Sequence, residues 1–283
     1  MGTVRVGGVD LYYEVTGEEF PIVWCHEYAG DYRSWTPQVR YFSRLYRNVT
    51  WNYRGYPPSA VPEDPAAYSQ EHLVADLLGL LDHLHIEQAH LVGLSMGGSL
   101  VVAFGLAHPE RCRSLVAAGT GSGTTDRAGW ERDVHAVANT LLHQGMATLA
   151  ASYARGPTRL PFLRKDPHGW QEFHDQFAGH SAPGSAYTFL GVQLKRETIF
   201  DLKPRLPTLR VPTLILVGDE DAPCIEPSLC LKQELPSAGL LMFPQTGHTL
   251  NLEEPAAFNA AVRDFLQQVE AGRWATRDSA GTA

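Results

Sequence analysis

The stretch His90-Leu91-Val92-Gly93-Leu94-Ser95-Met96-Gly97-Gly98 runs an apolar β-type segment into a serine with glycines two residues before it and two after. Behind it, Ser99 to Ala107 has helical character. Small residues on both sides permit a tight strand-to-helix turn, which lifts the serine hydroxyl above the end of the strand. The backbone N–H of Met96 then points at the same spot from a helix N-terminus, where negative charge is favoured. A serine so placed needs a base to take its proton and an acid to orient that base.

Working outward, short β-rich runs alternate with amphipathic segments, the pattern of parallel strands joined by helical crossovers. Thr3–Val6 and Leu11–Val15, around Gly7-Gly8, read as an opening hairpin. Ile22–Cys25, Val49–Trp51, His90–Val92, Ser114–Ala118, Thr213–Val217 and Leu240–Phe243 read as buried strands. Trp35, Val39, Phe42 and Leu45 share one helical face, and so do Leu73, Leu77, Leu80, Leu81 and Leu84. The last helix starts at Pro255 behind Glu253 and Glu254 and carries Phe258, Ala261, Val262, Phe265, Leu266 and Val269 on one side. The alternation breaks once, from about Gly119 to Leu206, where helical segments rich in aromatics replace the βα units. The expected organisation is therefore a core over residues 1–118, a helical cap over 119–206, the rest of the core over 207–270, and a frayed tail over 271–283.

The 283 residues, 44% hydrophobic and 19% charged, are those of an ordinary globular protein. A net charge of −8 without a Lys/Arg-rich run argues against nucleic acid or anionic membrane as partner, and against a strongly anionic substrate. Cys25, Cys112, Cys224 and Cys230 form no C-x-x-C pair, and the first residues lack the apolar region of a signal peptide. Free thiols in the cytoplasm are the expectation. Met1-Gly2 is not followed by the Ser or Thr that myristoylation wants, since position 6 is Val6. No apolar run reaches the roughly 18 residues of a membrane span.

The strand Thr213–Val217 exits into Gly218-Asp219-Glu220-Asp221, and Leu240–Phe243 exits into Pro244-Gln245-Thr246-Gly247-His248. Serine, acid and histidine thus follow in that order, each at the C-terminal end of a strand, where an open parallel sheet gathers them into one crevice. Each residue alone has an ordinary structural reading as a turn residue, a helix cap or a strand-end polar group; their joint placement favours chemistry. With these motifs the chain resembles the α/β-hydrolase-fold family with a helical cap, over residues 1 to about 270. The resemblance implies an eight-stranded, mostly parallel sheet with helices on both faces. It implies Ser95 as nucleophile, His248 as general base, and Asp221 as the acid in preference to Asp219, because the family's G-x-x-D spacing from Gly218 lands on Asp221. Family members that open epoxides or displace halide resemble an aspartate at the elbow, where this chain has Ser95.

Acyl transfer needs two N–H donors facing the developing oxyanion, and Met96 supplies one. The family pattern after the strand Ile22–Cys25 resembles His-Gly followed by a hydrophobic donor residue, which maps onto His26, Glu27 and Tyr28 and implies Tyr28 as the second donor. Glu27 departs from the glycine of that pattern. A carboxylate aimed at the oxyanion would repel it, so Glu27 is expected to point away and to pair with Arg54 in Asn52-Tyr53-Arg54-Gly55, bracing the loop together with His26. Its alternative role is as an extra acid or in contact with a polar group of the substrate.

The expected activity is a cofactor-independent serine hydrolase acting on a small apolar ester or lactone, with no metal. A C–C bond hydrolase of a vinylogous diketone is the enzymatic alternative, although such relatives resemble G-N-S-M-G-G and Leu94 departs from it; a hydrolase-fold ligand receptor is the non-enzymatic one. Trp130, Tyr153, Phe162, Trp170, Phe173, Phe177, Tyr187 and Phe189 fit cap packing singly and an apolar pocket collectively. His135, His143, His168, His174 and His180 lack metal-ligand spacing, and His72, His83, His85, His90 and His108 read as solvated or satisfied on or beside helices. Gly119-Thr120-Gly121-Ser122-Gly123 reads as a flexible start to the cap, not a phosphate loop, because no Lys-Ser/Thr ending follows.

Overall fold

In the computed structural model, residues 1–121 and 126–277 are described. Eight strands form one sheet: β1 (Gly2–Val6), β2 (Val9–Thr16), β3 (Pro21–Cys25), β4 (Arg47–Trp51), β5 (Ala89–Leu94), β6 (Cys112–Ala118), β7 (Thr213–Gly218) and β8 (Ala238–Phe243). Their spatial order is β1-β2-β4-β3-β5-β6-β7-β8, with β1 and β2 antiparallel to their neighbours and every other pairing parallel. The β1–β2 hairpin turns on Gly7 and Gly8, both at positive φ, the conformation that a two-residue hairpin loop requires.

Twelve helices accompany the sheet among the described residues: α1 (Thr36–Phe42), α2 (Gln70–His83), α3 (Met96–Ala107), α4 (Arg127–Gln144), α5 (Met146–Tyr153), α6 (Leu160–Lys165), α7 (Pro167–Ala178), α8 (Ala182–Thr188), α9 (Ile199–Leu202), α10 (Ala222–Glu234), α11 (Leu250–Glu253) and α12 (Pro255–Glu270). The central strands are apolar on both faces, as parallel strands covered by helices must be. On β3, Val23 and Cys25 enter the core beneath α2 and α3, while Ile22 and Trp24 enter the opposite core beneath α1 and α12. No described helix is long and apolar enough to cross a membrane, and all four cysteines are free and buried.

Two expectations change in detail. Leu45 lies beyond α1 and is exposed, so the α1 seam ends at Phe42. The chain after Gly272 is docked rather than frayed as far as it is described: the Trp274 ring packs edge-on against Phe265, its Nε1 donates to Ser237 O at 2.7 Å, and Arg277 Nη2 donates to Leu235 O at 2.7 Å. The remainder of the expected tail, residues 278–283, and Ser122 and Gly123 of the glycine-rich loop lie outside the described residues.

The chain passes from β3 through α1 to β4 on one side and from β4 through α2 back to β5 on the other. The strand order therefore reverses at β3 and β5, and their C-terminal loops part to leave a crevice. Gly97 sits at the base of that crevice. A Cβ there would lie 2.0 Å from the Cys25 carbonyl oxygen, and one on Gly93 would lie 2.1 Å from Gly97 O. Both obstacles are backbone, so no side-chain rotation relieves them. Gly97→Ala is expected to cost at least about 3 kcal/mol in chemical denaturation, the scale of severe core disruptions; wild-type stability in that variant would contradict the packing described.

Candidate active site

Ser95 joins β5 to α3 at φ 55° and ψ −110°, a strained backbone for a residue with a Cβ. It is held there by its N–H, which donates to Ala118 O at 2.8 Å, and by its carbonyl, which accepts from Ser99 N at 3.0 Å. The glycine-sized gaps at 93 and 97 let the turn close against β3, so the strain is fixed by packing on both sides.

Asp221 stands immediately before α10 without a side-chain bond to its backbone, and its Oδ2 accepts from His248 Nδ1 at 2.7 Å. Burial alone would push the Asp221 carboxyl up, but the charge and hydrogen bond of His248 outweigh it and hold the group below its usual range. With Nδ1 engaged, Nε2 is the ring nitrogen left for proton exchange. Asp219 is elsewhere: its Oδ1 accepts from Thr246 N at 3.1 Å and braces the loop that carries His248. Glu253, which the sequence places just ahead of the last helix, has a task there. Both of its oxygens accept from Gly247 N, at 3.1 and 3.0 Å, and it pairs with Lys165 at 3.1 Å.

Ser95, Asp221 and His248 line one cavity of about 720 Å³, walled on its far side by helical segments between β6 and β7. Trp130, Tyr153 and Phe189 of the expected aromatics reach it, together with Phe200. Phe162, Trp170, Phe173 and Phe177 are buried among the helices instead. The wall is not wholly apolar, because Arg159 and Arg196 also face the cavity.

The loop after β3 is built from carbonyls turned inward. Tyr53 Oη donates to His26 O at 2.9 Å, His26 Nδ1 donates to Glu27 O at 2.7 Å, and Tyr56 Oη donates to Tyr28 O at 3.0 Å. Gly30 N also donates to Glu27 O. In a trans peptide the N–H points opposite to the carbonyl, so the Tyr28 N–H is directed away from the bonds that hold Glu27 O. The Tyr28 side chain meanwhile reaches into the helical layer, where its ring meets Phe189 edge-on and its hydroxyl donates to Ser185 O at 3.3 Å.

His26 is neutral as well as buried. Burial drives its pKa down to about 4, and its partners decide the tautomer: a carbonyl accepts from Nδ1, and the Tyr53 N–H donates to Nε2 at 3.3 Å. The ring stacks on Tyr53 with centroids 3.8 Å apart.

The expected Glu27–Arg54 pair does not form. Arg54 is fully used by Asp76, through Nε to Oδ2 at 2.7 Å and Nη2 to Oδ1 at 2.6 Å, with Nη1 donating to Ala67 O. Glu27 instead meets Arg159, which arrives from the helical layer 132 residues later. Arg159 Nη1 donates to Glu27 Oε1 at 2.8 Å and to Thr249 Oγ1 at 3.2 Å, while Nη2 bonds Glu27 Oε2. Burial pushes the Glu27 carboxyl up, but the guanidinium overrides it and leaves Glu27 ionised, with its pKa below the ordinary value. Thr158 O accepts from His248 N at 2.9 Å, so residues 158 and 159 touch both the β3 loop and the His248 loop. The role of Arg159 is not legible in the sequence because Glu27 lies 132 residues away, and that of Glu253 because only the folded loop brings the Gly247 N–H onto its carboxylate.

Asp221, Cys224 and His248 bring three ligand atoms within 4.8 Å of one another, close enough for a metal ion. The donor set fits one poorly. Asp221 and His248 already bond each other, and burial, then the Asp221 charge, raises the Cys224 thiol well above its ordinary value and keeps it protonated.

The match to known proteins follows this geometry. Residues 21–255 match the model of the family described as alpha/beta hydrolase fold. The chain belongs to the α/β-hydrolase-fold family. The hydrolase is 26% identical over 269 residues to 3-oxoadipate enol-lactonase 2 of Acinetobacter baylyi, covering 94% of this chain and 96% of that one. Among solved structures it resembles the enol-lactonase from Burkholderia xenovorans LB400, with a TM-score of 0.83 and 28% identity, covering 94% of this chain and 100% of that chain. It also resembles a malate-bound thermophilic esterase from Thermogutta terrifontis, with a TM-score of 0.85 and 25% identity, covering 95% and 99%.

Within the hydrolase, Arg159→Met leaves Glu27 buried without its counter-charge and is expected to cost about 3–5 kcal/mol. Glu27→Gln combined with Arg159→Met should recover most of that loss in a double-mutant cycle. Because the folded Glu27 pKa lies below the unfolded one, the stability it contributes is complete above the unfolded value and fades as pH falls through the depressed one. The double variant should therefore lose less stability than wild type on acidification; parallel acid titrations would contradict the pairing.

Proposed function

We propose that this hydrolase cleaves a carboxylic ester or lactone through an acyl-enzyme on Ser95. The observation that carries the reading is the 2.7 Å Asp221–His248 hydrogen bond at the wall of the same cavity that Ser95 lines from its strained turn. The names of the similar proteins, two enol-lactonases and an esterase, support an ester or lactone as the bond broken.

Ser95 Oγ attacks the carbonyl carbon while its proton passes to His248 Nε2. Asp221 orients the imidazole and stabilises the imidazolium so formed. The electron pair displaced onto the carbonyl oxygen gives an oxyanion, which the Met96 N–H at the start of α3 and the Tyr28 N–H stabilise. His26, neutral and bonded at both nitrogens, positions the Tyr28 donor, and the Glu27–Arg159 pair braces the loop from the cap side. Collapse of the tetrahedral intermediate breaks the bond to the alcohol oxygen, which takes the proton from His248; in a lactone that alcohol stays tethered to the acyl chain. Water then repeats the sequence, giving its proton to His248 and releasing the acid and Ser95.

In this reading residues 119–206 serve as a cap over a core formed by 1–118 and 207–270, with the tail 271–283 outside it. Contacts at the strand ends support it: Tyr28 Oη to Ser185 O, Arg159 to Glu27 and His248 N to Thr158 O all tie that segment to the loops around Ser95 and His248.

A fluorophosphonate probe should label the wild type and not Ser95→Ala. Short-chain aryl ester hydrolysis should fall by about 10⁴-fold or more in Ser95→Ala and by about 10⁴-fold in Asp221→Asn, where the imidazole loses its orienting charge. Asp219→Asn should stay within about tenfold of wild type, since its bond to Thr246 N survives with an amide oxygen. Undiminished labelling or turnover in Ser95→Ala would remove the nucleophile from this scheme.

A further inference from the structure

Arg196 is the cation in the cavity that the mechanism leaves unused. Its residue is nine-tenths buried, with 9% of its surface exposed, and it lines the same cavity as Ser95 and His248. Its backbone is anchored by Arg196 N donating to Val192 O at 3.0 Å, and its Nη2 donates to Gly121 O at 3.1 Å. Nη1 is buried and has no hydrogen-bond partner among the described residues. Arg159 provides the contrast, because its guanidinium is matched by Glu27 oxygen for nitrogen.

A guanidinium is always charged in a protein and donates from five N–H groups in a planar fork. Burying one without an anion beside it is costly, and the part of Arg196 that lines the cavity is where an anion can reach it. Asp133 and Glu226 also border the cavity, yet neither forms an ion pair with Arg196 among the described residues. Burial, the dominant influence, brings its pKa down to about 10, still well above neutral pH, so the charge persists. The net charge of −8 suggested a substrate without a strong negative charge, but the field inside the cavity is set by its lining.

We propose that Arg196 binds a carboxylate of the substrate, so that the ester or lactone cleaved here also bears a free acid group. This rests on the cavity being the hydrolytic site proposed above, and it narrows the substrate class to half-esters of short dicarboxylic acids and lactones carrying a carboxylate. Arg196 lies on the side of the cavity where Gly121 and Cys224 lie. Gly121, which accepts from Arg196, abuts Cys224 Sγ, and Cys224 Sγ is 3.6 Å from His248 Nδ1, so an unbroken run of contacts leads from Arg196 to the histidine of the site and suits a short substrate. Arg196 is a specificity residue in this assignment and takes no part in proton transfer.

The test compares 4-nitrophenyl hydrogen glutarate with its methyl-capped neutral counterpart. In wild type, kcat/KM for the anionic ester should exceed that for the neutral one by about 30-fold, the worth of a charge-assisted hydrogen bond. Arg196→Met should collapse that ratio to about one, while Arg196→Lys should keep part of it. Two further measurements need no turnover and no Arg196 variant. Glutarate, but not glutaramide, should raise the melting temperature of Ser95→Ala protein and should protect wild type from the fluorophosphonate. Glutarate binding without turnover of either ester would overturn the acyl-enzyme reading and leave the carboxylate site standing. Ester turnover with a ratio near one in wild type, or with a ratio that survives Arg196→Met, would overturn the carboxylate site alone.

Discussion

The site depends on one close approach, the turn after β5 pressed against the end of β3. Gly97 has no room for a Cβ because the Cys25 carbonyl oxygen would be 2.0 Å from it, and Gly93 is held equally tightly by Gly97 O. This contact forces Ser95 to φ 55° and at the same time sets the start of α3 beside the first residues of the β3 loop. The candidate nucleophile and its two candidate N–H donors come from segments about 70 residues apart, yet a single backbone contact fixes their relative position. The sheet supplies the rest of the precision, since Cys25 pairs with Gly93 in register and the strand order reverses there.

The second organising feature is how buried charge is treated. Glu27 and Arg159 are both almost wholly buried, and each satisfies the other, with Thr249 taking a further bond from Arg159. Such a pair adds little net stability compared with apolar packing, but it penalises any arrangement in which the two halves separate. Here those halves are the β3 loop and the segment that also receives the His248 N–H at Thr158 O. A glycine at position 27 would leave the loop without a side chain to engage Arg159. Arg54 shows the same rule applied locally: it is closed off by Asp76 and Ala67 O and has nothing left for Glu27.

How much of this could be read from the chain follows from the separation of the partners. The strands were legible because β3, β5, β6 and β7 are short apolar runs bounded by turn residues, and the pattern around Ser95 combined strand, small residues and helix within a few positions. Asp221 and His248 were legible because each directly follows a strand, so local sequence fixes its place at the sheet edge. The brace for Glu27 was not legible. Neighbouring strand exits suggested Arg54, whereas Arg159 sits in a helical segment whose docking is decided by tertiary packing, beyond anything periodicity can report. The task of Glu253 was not legible either: it stands just before the helix that starts at Pro255, as read, but only the folded chain shows the Gly247 N–H above it.

Arg196 marks the limit of composition as a guide. Overall charge governs the field far from the surface, where solvent and salt average many groups. Inside a low-dielectric cavity a guanidinium without a counter-ion among the described residues outweighs that average for any group beside it, because the interaction grows as distance and screening fall. The chain is acidic in sum, and the cavity lining holds Asp133 and Glu226 as well, yet Arg196 forms no ion pair among the described residues, so a local cation and an acidic total do not conflict. Arg159 contributes little to the field there, since Glu27 neutralises it at contact distance. The charge that a substrate meets is thus decided by which arginine found a partner during folding and which did not.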